Sequence, residues 1–471
     1  MGRLARLYAM LPLPAQHGAV SAYGLYRRWL RFGPGYRHYV REFDARERYD
    51  AKEWQAWQRS RLAVLLPAAA ARVRYYRETW TQEERAAALA GRLDGLPLLE
   101  KEPVRADPEE FVREDVLVWP RVVFHTSGST GTPVASILTP QEVRRALALR
   151  ESRSARWAGV SFALPRATFS GRLVEPDPDS KGPFYRFNAV ERQVYLSPYH
   201  LRAETAAAYV DALTRHRVQW LTGYAFSYYL LATFIRDQRL AAPPVKAVIT
   251  TSEKVSPQMR AVMETAYGCR VYEEYSTVES AVFASECAHG RLHTSPDAAV
   301  VEILKPDGSA CEPGEVGEVV ATPLLREYQP LIRYRLGDLA TWAPAACPCG
   351  RAMPVLNEVV GRVEDVVVGP DGRQMVRFHG IFVDQPHVRE GQVIQETLHR
   401  IRVRVTATDG FGSRDVQDII RRVQQRLGPS VEVIVECVDH IPRTASGKFQ
   451  AVRSYIGAHA GPERQRAKLP D

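Results

Sequence analysis

HTSGSTGTP, residues 125–133, is the stretch on which the reading of this chain turns. It follows a β-prone run, VVFH at 122–125, and its core Thr126, Ser127, Gly128, Ser129, Thr130 and Gly131 supplies four hydroxyls and two glycines. Glycine lets backbone approach an anion closely, and hydroxyls with successive N–H groups donate to phosphate oxygens. The segment is neither a Walker loop, which needs Gly-Lys-Ser/Thr, nor GxGxxG, so taken alone a solvent-exposed turn stays open. A second loop, PRTASGK at 442–448, shifts the balance: it places Lys448 at the end of a Gly-containing stretch behind the last strand of a small unit. Only eight of the 63 Lys+Arg residues are lysine. A lysine on such a loop can swing toward the charge that develops on a phosphoryl group.

Around these two loops the pattern divides. Residues 1–100 read as helical, with apolar positions at three- and four-residue spacing over 49–76 and few glycines. Residues 101–363 alternate short β-runs with helices at 140–158 and 257–267 and a β-run at 245–251, which predicts an α/β core with parallel strands. From residue 298 the strands crowd together, with turns at Asp307-Gly308 and Pro313-Gly314, and predict an antiparallel meander or small barrel. Residues 364–471 hold the strand RIRVRVTA, a helix with apolar Val416, Ile419, Ile420, Val423 and Leu427, and the strand VEVIVECV, as an independent α+β domain would. The predicted fold class is therefore α/β: a large N-terminal domain of parallel sheet and helices with a small β-barrel-like subdomain, and a small C-terminal α+β domain.

Composition bounds the function. With 471 residues, 45% apolar and 25% charged, the chain is neither a disulfide-stapled miniprotein nor disordered. The net charge of +9 is an arginine bias spread through mixed-sign stretches such as REFDARER at 41–48, a solvated surface that predicts no nucleic-acid binding. The longest uncharged apolar run, residues 62–71, contains Pro67 and falls far short of the ~20 residues a membrane span needs. The start, MGRLARLYAMLPLPA, is interrupted by Pro12 and Pro14 and shows no small-x-small cleavage site, so secretion is not expected, while peripheral membrane contact through LYAMLPLP stays open. Six cysteines make no disulfide framework; Cys269, Cys311 and Cys437 are expected as core thiols in a reducing cytoplasm.

Further motifs recur in order between the two loops: TTSEK (250–254), EEYSTVE (273–279), RYRLGDL (333–339) and GRVED (361–365). With them the chain resembles the adenylate-forming superfamily of acyl-CoA synthetases and related ligases over most of its length. The helical stretch ending VRYYRETW, the segment LSPYHLRAETAAAYVDAL with LTGYAFSYYLLA, and CPCGR look most like the phenylacetate-CoA ligase family and its CapK-like branch, which is associated with polysaccharide gene sets. The resemblance implies that Thr126 to Gly131 hold the ATP phosphates, that Ser252, Glu253, Tyr275, Ser276 and Thr277 pack around the nucleotide, and that Glu279 binds Mg²⁺. It implies further that Asp338 accepts from the ribose hydroxyls, that Arg362 contacts ribose or phosphate, that Glu364 is the hinge of a mobile C-terminal lid, and that Lys448 bridges the substrate carboxylate and the α-phosphate. The types suit the chemistry: a carboxylate attacking a phosphoryl group is already ionised at pH 7, and cations must offset the like-charge repulsion. Ser276, Val278, Leu336, Glu364 and Val134 depart from the family pattern, and several of these remove hydroxyls.

CPCG at 347–350 is a short chelating turn, and SECAHGRLH supplies Cys287, His289 and His293 some sixty residues earlier. Three thiolates and one imidazole would close a tetrahedral structural zinc site, with packed free cysteines as the alternative. Resemblance to zinc-carrying family members favours Cys287, His293, Cys347 and Cys349, with His289 a rival ligand. For the acid pocket, His125, Tyr224, Ser227 and Tyr272 are the expected wall residues, and Tyr228 and Tyr229 are expected as core. The implied substrates are ATP with Mg²⁺, a small carboxylic acid, and CoA as acceptor, in a monomer or homodimer. Because RFHGIFVDQP after the hinge departs from the family, direct transfer to an amine or hydroxyl, or a non-catalytic nucleotide-binding scaffold, stays open.

Overall fold

The computed structural model describes residues 8, 11–125, 134–172, 174–175, 180–362, 367–371, 374–375, 378–382, 385–443 and 449–456. Thr126, Ser127, Gly128, Ser129, Thr130, Gly131, Glu364 and Lys448 lie outside the described residues, as does the side chain of Arg362.

Helices fill the N-terminal region, and their starts are written locally. Asp50 and Glu53 cap Ala51–Arg72 reciprocally, and Thr81 with Glu84 does the same for Gln82–Leu89, so N–H groups that a helix leaves unpaired are satisfied by side chains. The inner faces of these helices, including Leu66, Ala69, Tyr76 and Ala88, share one core with Ile303, Val319, Tyr334 and Leu356 of the antiparallel strands.

The strands in chain order are β1 Val122–His125, β2 Ala135–Leu138, β3 Arg166–Phe169, β4 Tyr185–Asn188, β5 Gln193–Leu196, β6 Trp220–Tyr224, β7 Val248–Thr251, β8 Val271–Ser276, β9 Phe283–Glu286, β10 Leu292–Thr294, β11 Ala299–Leu304, β12 Gly317–Pro323, β13 Tyr334–Trp342 and β14 Val355–Arg362. β1 and β2 form their own antiparallel pair, closing at His125 opposite Ala135, and so stand apart from the α/β alternation. The other twelve form one hydrogen-bonded sheet in the order β11-β12-β13-β14-β10-β9-β8-β7-β6-β3-β5-β4. Its parallel part is β5-β3-β6-β7-β8, where strands buried on both faces alternate with helices such as Ala225–Asp237 and Pro257–Tyr267. The crowded antiparallel strands continue that sheet through β10.

The helix expected over 140–158 is α-helical only from Pro140 to Leu149, capped by Thr139 and Glu142, and then widens into a π-helical stretch at Arg150–Ala155. No glycine or proline marks that change; buried polar side chains at Glu151, Ser152 and Arg153 occupy it.

The C-terminal unit continues with β15 Val367–Val368, β16 Gln374–Met375, β17 Val388–Thr397, β18 Arg400–Ala407, β19 Glu432–Cys437 and β20 Val452–Ser454. Its four-stranded sheet runs β19-β18-β17-β20, and the helix Ser413–Leu427 buries Ile419, Val423 and Leu427 against it. Cys311 is buried and Cys269 half-buried, but Cys437 is exposed at the end of β19 rather than in the core. Among the described residues no helix is long and apolar enough to cross a membrane.

Candidate active site

β8 carries the site's central residues, and period-2 alternation sends them to opposite faces. Tyr275 reaches toward β13, where its hydroxyl donates to Asp338 Oδ2 at 2.7 Å. Asp338 is buried, and the ladder sets it opposite the backbone of Arg362 on β14. A carboxylate is acceptor-only, so an Asp338 oxygen can receive further hydroxyl donors.

Just past β8, Glu279 is buried, and Tyr334 donates to its Oε1 at 3.3 Å. Burial first, and the neighbouring Glu279 charge second, push the Tyr334 hydroxyl well above its ordinary ionisation range. The carbonyl of Glu279 accepts from Arg326, a fully buried guanidinium that also reaches Ser136 Oγ at 3.1 Å and Gln329 Oε1 at 2.5 Å. Burial lowers the pKa of Arg326 while the Glu142 and Glu279 charges oppose that shift. Arg326 thus couples β2, at one end of the hydroxyl-rich loop, to the Glu279 backbone. In the sequence it stands in PLLREYQPLI, 323–332, beside Glu327, with nothing to mark it as buried.

Glu253 makes an unexpected connection. Its Oε2 accepts from the backbone N–H of Phe226 at 2.8 Å, in the first turn of Ala225–Asp237. Its Oε1 accepts from the N–H of Phe449 at 2.9 Å. The Phe449 ring stacks on Phe226 with centroids 4.3 Å apart, and the Arg443 guanidinium lies over both rings at 4.6 and 5.0 Å. Two hydrogen bonds of 2.9 Å hold Arg443 on Glu390 of β17. The residues on either side of 444–448 are therefore fastened to the large body.

A cavity of about 310 Å³ opens on the other face of β8, lined among others by Arg150, Ser252, Glu274, Ser276, Thr277 and Val278. Ser252 holds a left-handed backbone, φ +71°, at its rim. Three expected nucleotide residues, Ser252, Ser276 and Thr277, thus share one chamber. None of the four expected wall residues lines it. Tyr224 and Ser227 are buried in the core between β6 and the following helix, Tyr272 packs against the cluster around Phe162 and Trp220, and His125 is exposed at the end of β1.

A separate group lies beside β9, β10 and β14, in the middle of the same sheet. Ligand atoms of Cys287, His293, Cys347 and Cys349 all lie within 4.8 Å of one another. Cys287 Sγ is 3.6 Å from Cys347 Sγ, and Cys349 Sγ is 3.4 Å from His293 Nε2. A tetrahedron with zinc–sulfur bonds of ~2.3 Å and a zinc–nitrogen bond of ~2.0 Å has edges of roughly 3.6–3.8 Å, so the donor set fits that ion. His293 Nδ1 faces the Met353 carbonyl at 3.2 Å, which leaves Nε2 toward the thiols. The ring meets Trp157 edge-on, and Trp157 carries the Arg351 guanidinium at 4.2 Å. His289 is not in the group; its backbone N–H points at Cys287 Sγ. Without a metal, burial raises the Cys347 thiol to about 11.

Residues 370–455 match the family model of the CapK C-terminal domain. The chain is 23% identical to Protein CapK of Staphylococcus aureus over 377 residues, which span 76% of this chain and 79% of that protein. It is 24% identical to a phenylacetate-coenzyme A ligase of Thermus thermophilus over 203 residues, 36% of this chain and 44% of that enzyme. Among solved structures, a 2-hydroxyisobutyryl-CoA ligase in its postadenylation state shares the fold with a TM-score of 0.67, at 22% identity, over 87% of this chain and 90% of that one.

Proposed function

We propose that this chain, which belongs to the adenylate-forming superfamily and to the CapK-like branch of its phenylacetate-CoA ligase family, uses ATP to activate a small carboxylic acid and passes the acyl group to CoA. The observation that carries this reading is the anchoring of Phe449 by Glu253, which tethers the residue next to Lys448 to the body that holds Asp338 and Glu279. In the first half-reaction a carboxylate oxygen forms a bond to the α-phosphorus of ATP, and the bond to the β-phosphate oxygen breaks, releasing pyrophosphate. The acid is already ionised at neutral pH, so no general base is needed. What the protein must supply is orientation and positive charge.

Thr126 to Gly131 supply donors to the phosphates, and Lys448 offsets the crowded oxygens of the attacking carboxylate and α-phosphate. Asp338, fixed by Tyr275, accepts from the ribose, with Arg362 on the facing strand. Glu279 would hold Mg²⁺, which neutralises phosphate charge when bound. In the second half-reaction the thiol of CoA forms a bond to the acyl carbon and AMP leaves. Cys287, His293, Cys347 and Cys349 would hold a structural zinc. The six cysteines all stand as free thiols, which suits a reducing, cytoplasmic setting.

The test is acid-dependent ATP–pyrophosphate exchange over a panel of carboxylic acids, followed by product analysis with and without CoA. Exchange that Lys448→Ala lowers by roughly a thousandfold or more is expected, with a thioester forming when CoA is added. A panel that gives no exchange while nucleotide still binds would overturn the reading in favour of a scaffold. Adenylate that reacts with amines but not with CoA would move the acceptor to amide formation.

A further inference from the structure

The chamber on the far face of β8 is apolar over much of its wall, with Leu138, Ala146, Leu149, Val282, Phe283 and Leu325. Glu142 and Arg326 also line it, but Glu142 is engaged by the N–H groups of Thr139, Glu327 and Tyr328, and Arg326 by Ser136, Gln329 and the Glu279 carbonyl, which leaves one ion pair facing the space. Arg150 Nε donates to Glu274 Oε2 at 2.9 Å, and Ser276 Oγ donates to Glu274 Oε1 at 3.2 Å. The Glu274 side chain is 1% exposed and that of Arg150 30%. Arg150 arrives there because the helix Pro140–Leu149 gives way at that residue to the π-helical stretch, and its guanidinium lies 5.5 Å over the Phe162 ring. Glu274 arrives because it alternates with Tyr275, so that fixing Tyr275 on Asp338 turns Glu274 to the opposite face. Among the described residues, the two terminal nitrogens of Arg150 have no hydrogen-bond acceptor.

From this we infer that the acid accepted here is short and carries a hydroxyl, which donates to Glu274 and accepts from Arg150. The inference rests on the adenylation reading, takes this chamber beside the expected nucleotide residues Ser252, Ser276 and Thr277 as the place of the acyl end of the adenylate, and names the class of acid it accepts. Electrostatics select among polar groups. The pair is neutral overall, so an ammonium on the substrate would meet Arg150 and a second carboxylate would meet Glu274, each at the cost of like-charge contact. A hydroxyl is donor and acceptor at once and satisfies both partners. A plain alkyl or aryl acid would strip water from the terminal Arg150 nitrogens and return nothing, which is the expensive way to bury a charged pair. Volume adds a limit, since 310 Å³ is at the low end for small-molecule sites.

Non-reactive acylsulfamoyl-adenosine analogues test this on the full chain without turnover. The set is butanoyl, its 2-, 3- and 4-hydroxy forms, and phenylacetyl, with dissociation constants measured by calorimetry. The tightest hydroxybutanoyl analogue should bind at least about tenfold better than both the butanoyl and the phenylacetyl analogue, the discrimination that a site built to hydrogen-bond a hydroxyl exerts. Glu274→Gln, which preserves shape, should reduce that preference, and the double variant Arg150→Met with Glu274→Met should abolish it while keeping affinity for butanoyl. Melting curves check that the variants fold, and the wild-type comparison stands without them. Butanoyl or phenylacetyl binding as tightly as every hydroxylated analogue would overturn the inference and leave adenylation intact. Failure of every analogue to bind would overturn the adenylation reading, and this inference with it.

Discussion

The thiol–imidazole group and the nucleotide site occupy one sheet but are built in opposite ways. Cys287 follows β9, His293 sits in β10 opposite both Ser285 and Val355, and Cys347 and Cys349 precede β14, so three neighbouring antiparallel strands set the four ligands. Ladder register and the two turns at Cys287–Gly290 and Cys347–Gly350 bring them together. The proposed nucleotide site draws on β8 and β13, and the C-terminal unit reaches the large body beside it through the Phe449 N–H on Glu253, the Phe449 ring on Phe226 and Arg443 over both rings. The difference is that between a brace and a latch. A brace is held by many cooperative backbone bonds, whereas a latch of one hydrogen bond, a ring stack and a guanidinium over the rings can open.

The brace should give the largest effect. Protein purified without chelator is expected to carry one zinc per chain, and Cys347→Ser should empty the site and lower the melting temperature by about 10 °C or more, since metal binding at such sites contributes directly to folding. Below its melting point the variant should keep the wild-type KM for ATP, because among the described residues the group's contacts run to Met353, Trp157 and Arg351 rather than to Tyr275, Glu279 or Asp338. Metal analysis with a zinc content near zero would reduce the four residues to packed thiols around a buried imidazole.

Opening the latch should act on rate. Glu253→Ala removes the acceptor of both the Phe226 and the Phe449 N–H groups, and hydrogen bonds to a charged acceptor are worth about 1.5–3 kcal/mol each. Pyrophosphate exchange is expected to fall roughly 10- to 100-fold, with thioester formation from supplied acyl-adenylate falling by much less, since only the first half-reaction needs the segment beside Lys448 docked. Equal losses in both halves would mean that Glu253 acts on the nucleotide itself, the role its TTSEK motif suggests.

What could be read in advance follows the same division. Pro257–Tyr267 has the expected bounds because a Ser-Pro start and a glycine end write them locally. Cys287, His293, Cys347 and Cys349 were legible because two close pairs of ligand types, with a family precedent, leave few combinations. Arg326, the double bond of Glu253 and the Arg150–Glu274 pair were not legible. Each depends on partners 27 to 196 residues away, brought together only by the sheet. Tyr224 and Tyr272, read as pocket walls, do not line the chamber beside β8, and Tyr272 packs against Phe162 and Trp220.

The smallest expected effect probes the Tyr275–Asp338 contact of the proposed nucleotide site. Tyr275→Phe removes one hydroxyl, whose 2.7 Å bond to Asp338 Oδ2 is the contact that orients this carboxylate. Asp338 keeps its charge and its place on β13, so the loss is one neutral donor to a charged acceptor, partly replaced by the ribose hydroxyl or by water. About 1 kcal/mol is the expected cost, which is a three- to tenfold rise in KM for ATP with kcat within a factor of two. A role confined to packing predicts no change in KM or kcat, because the phenyl ring fills nearly the same volume and binding would not sense the missing hydroxyl. The KM-against-kcat split therefore decides whether Tyr275 positions Asp338 for the nucleotide or merely covers it.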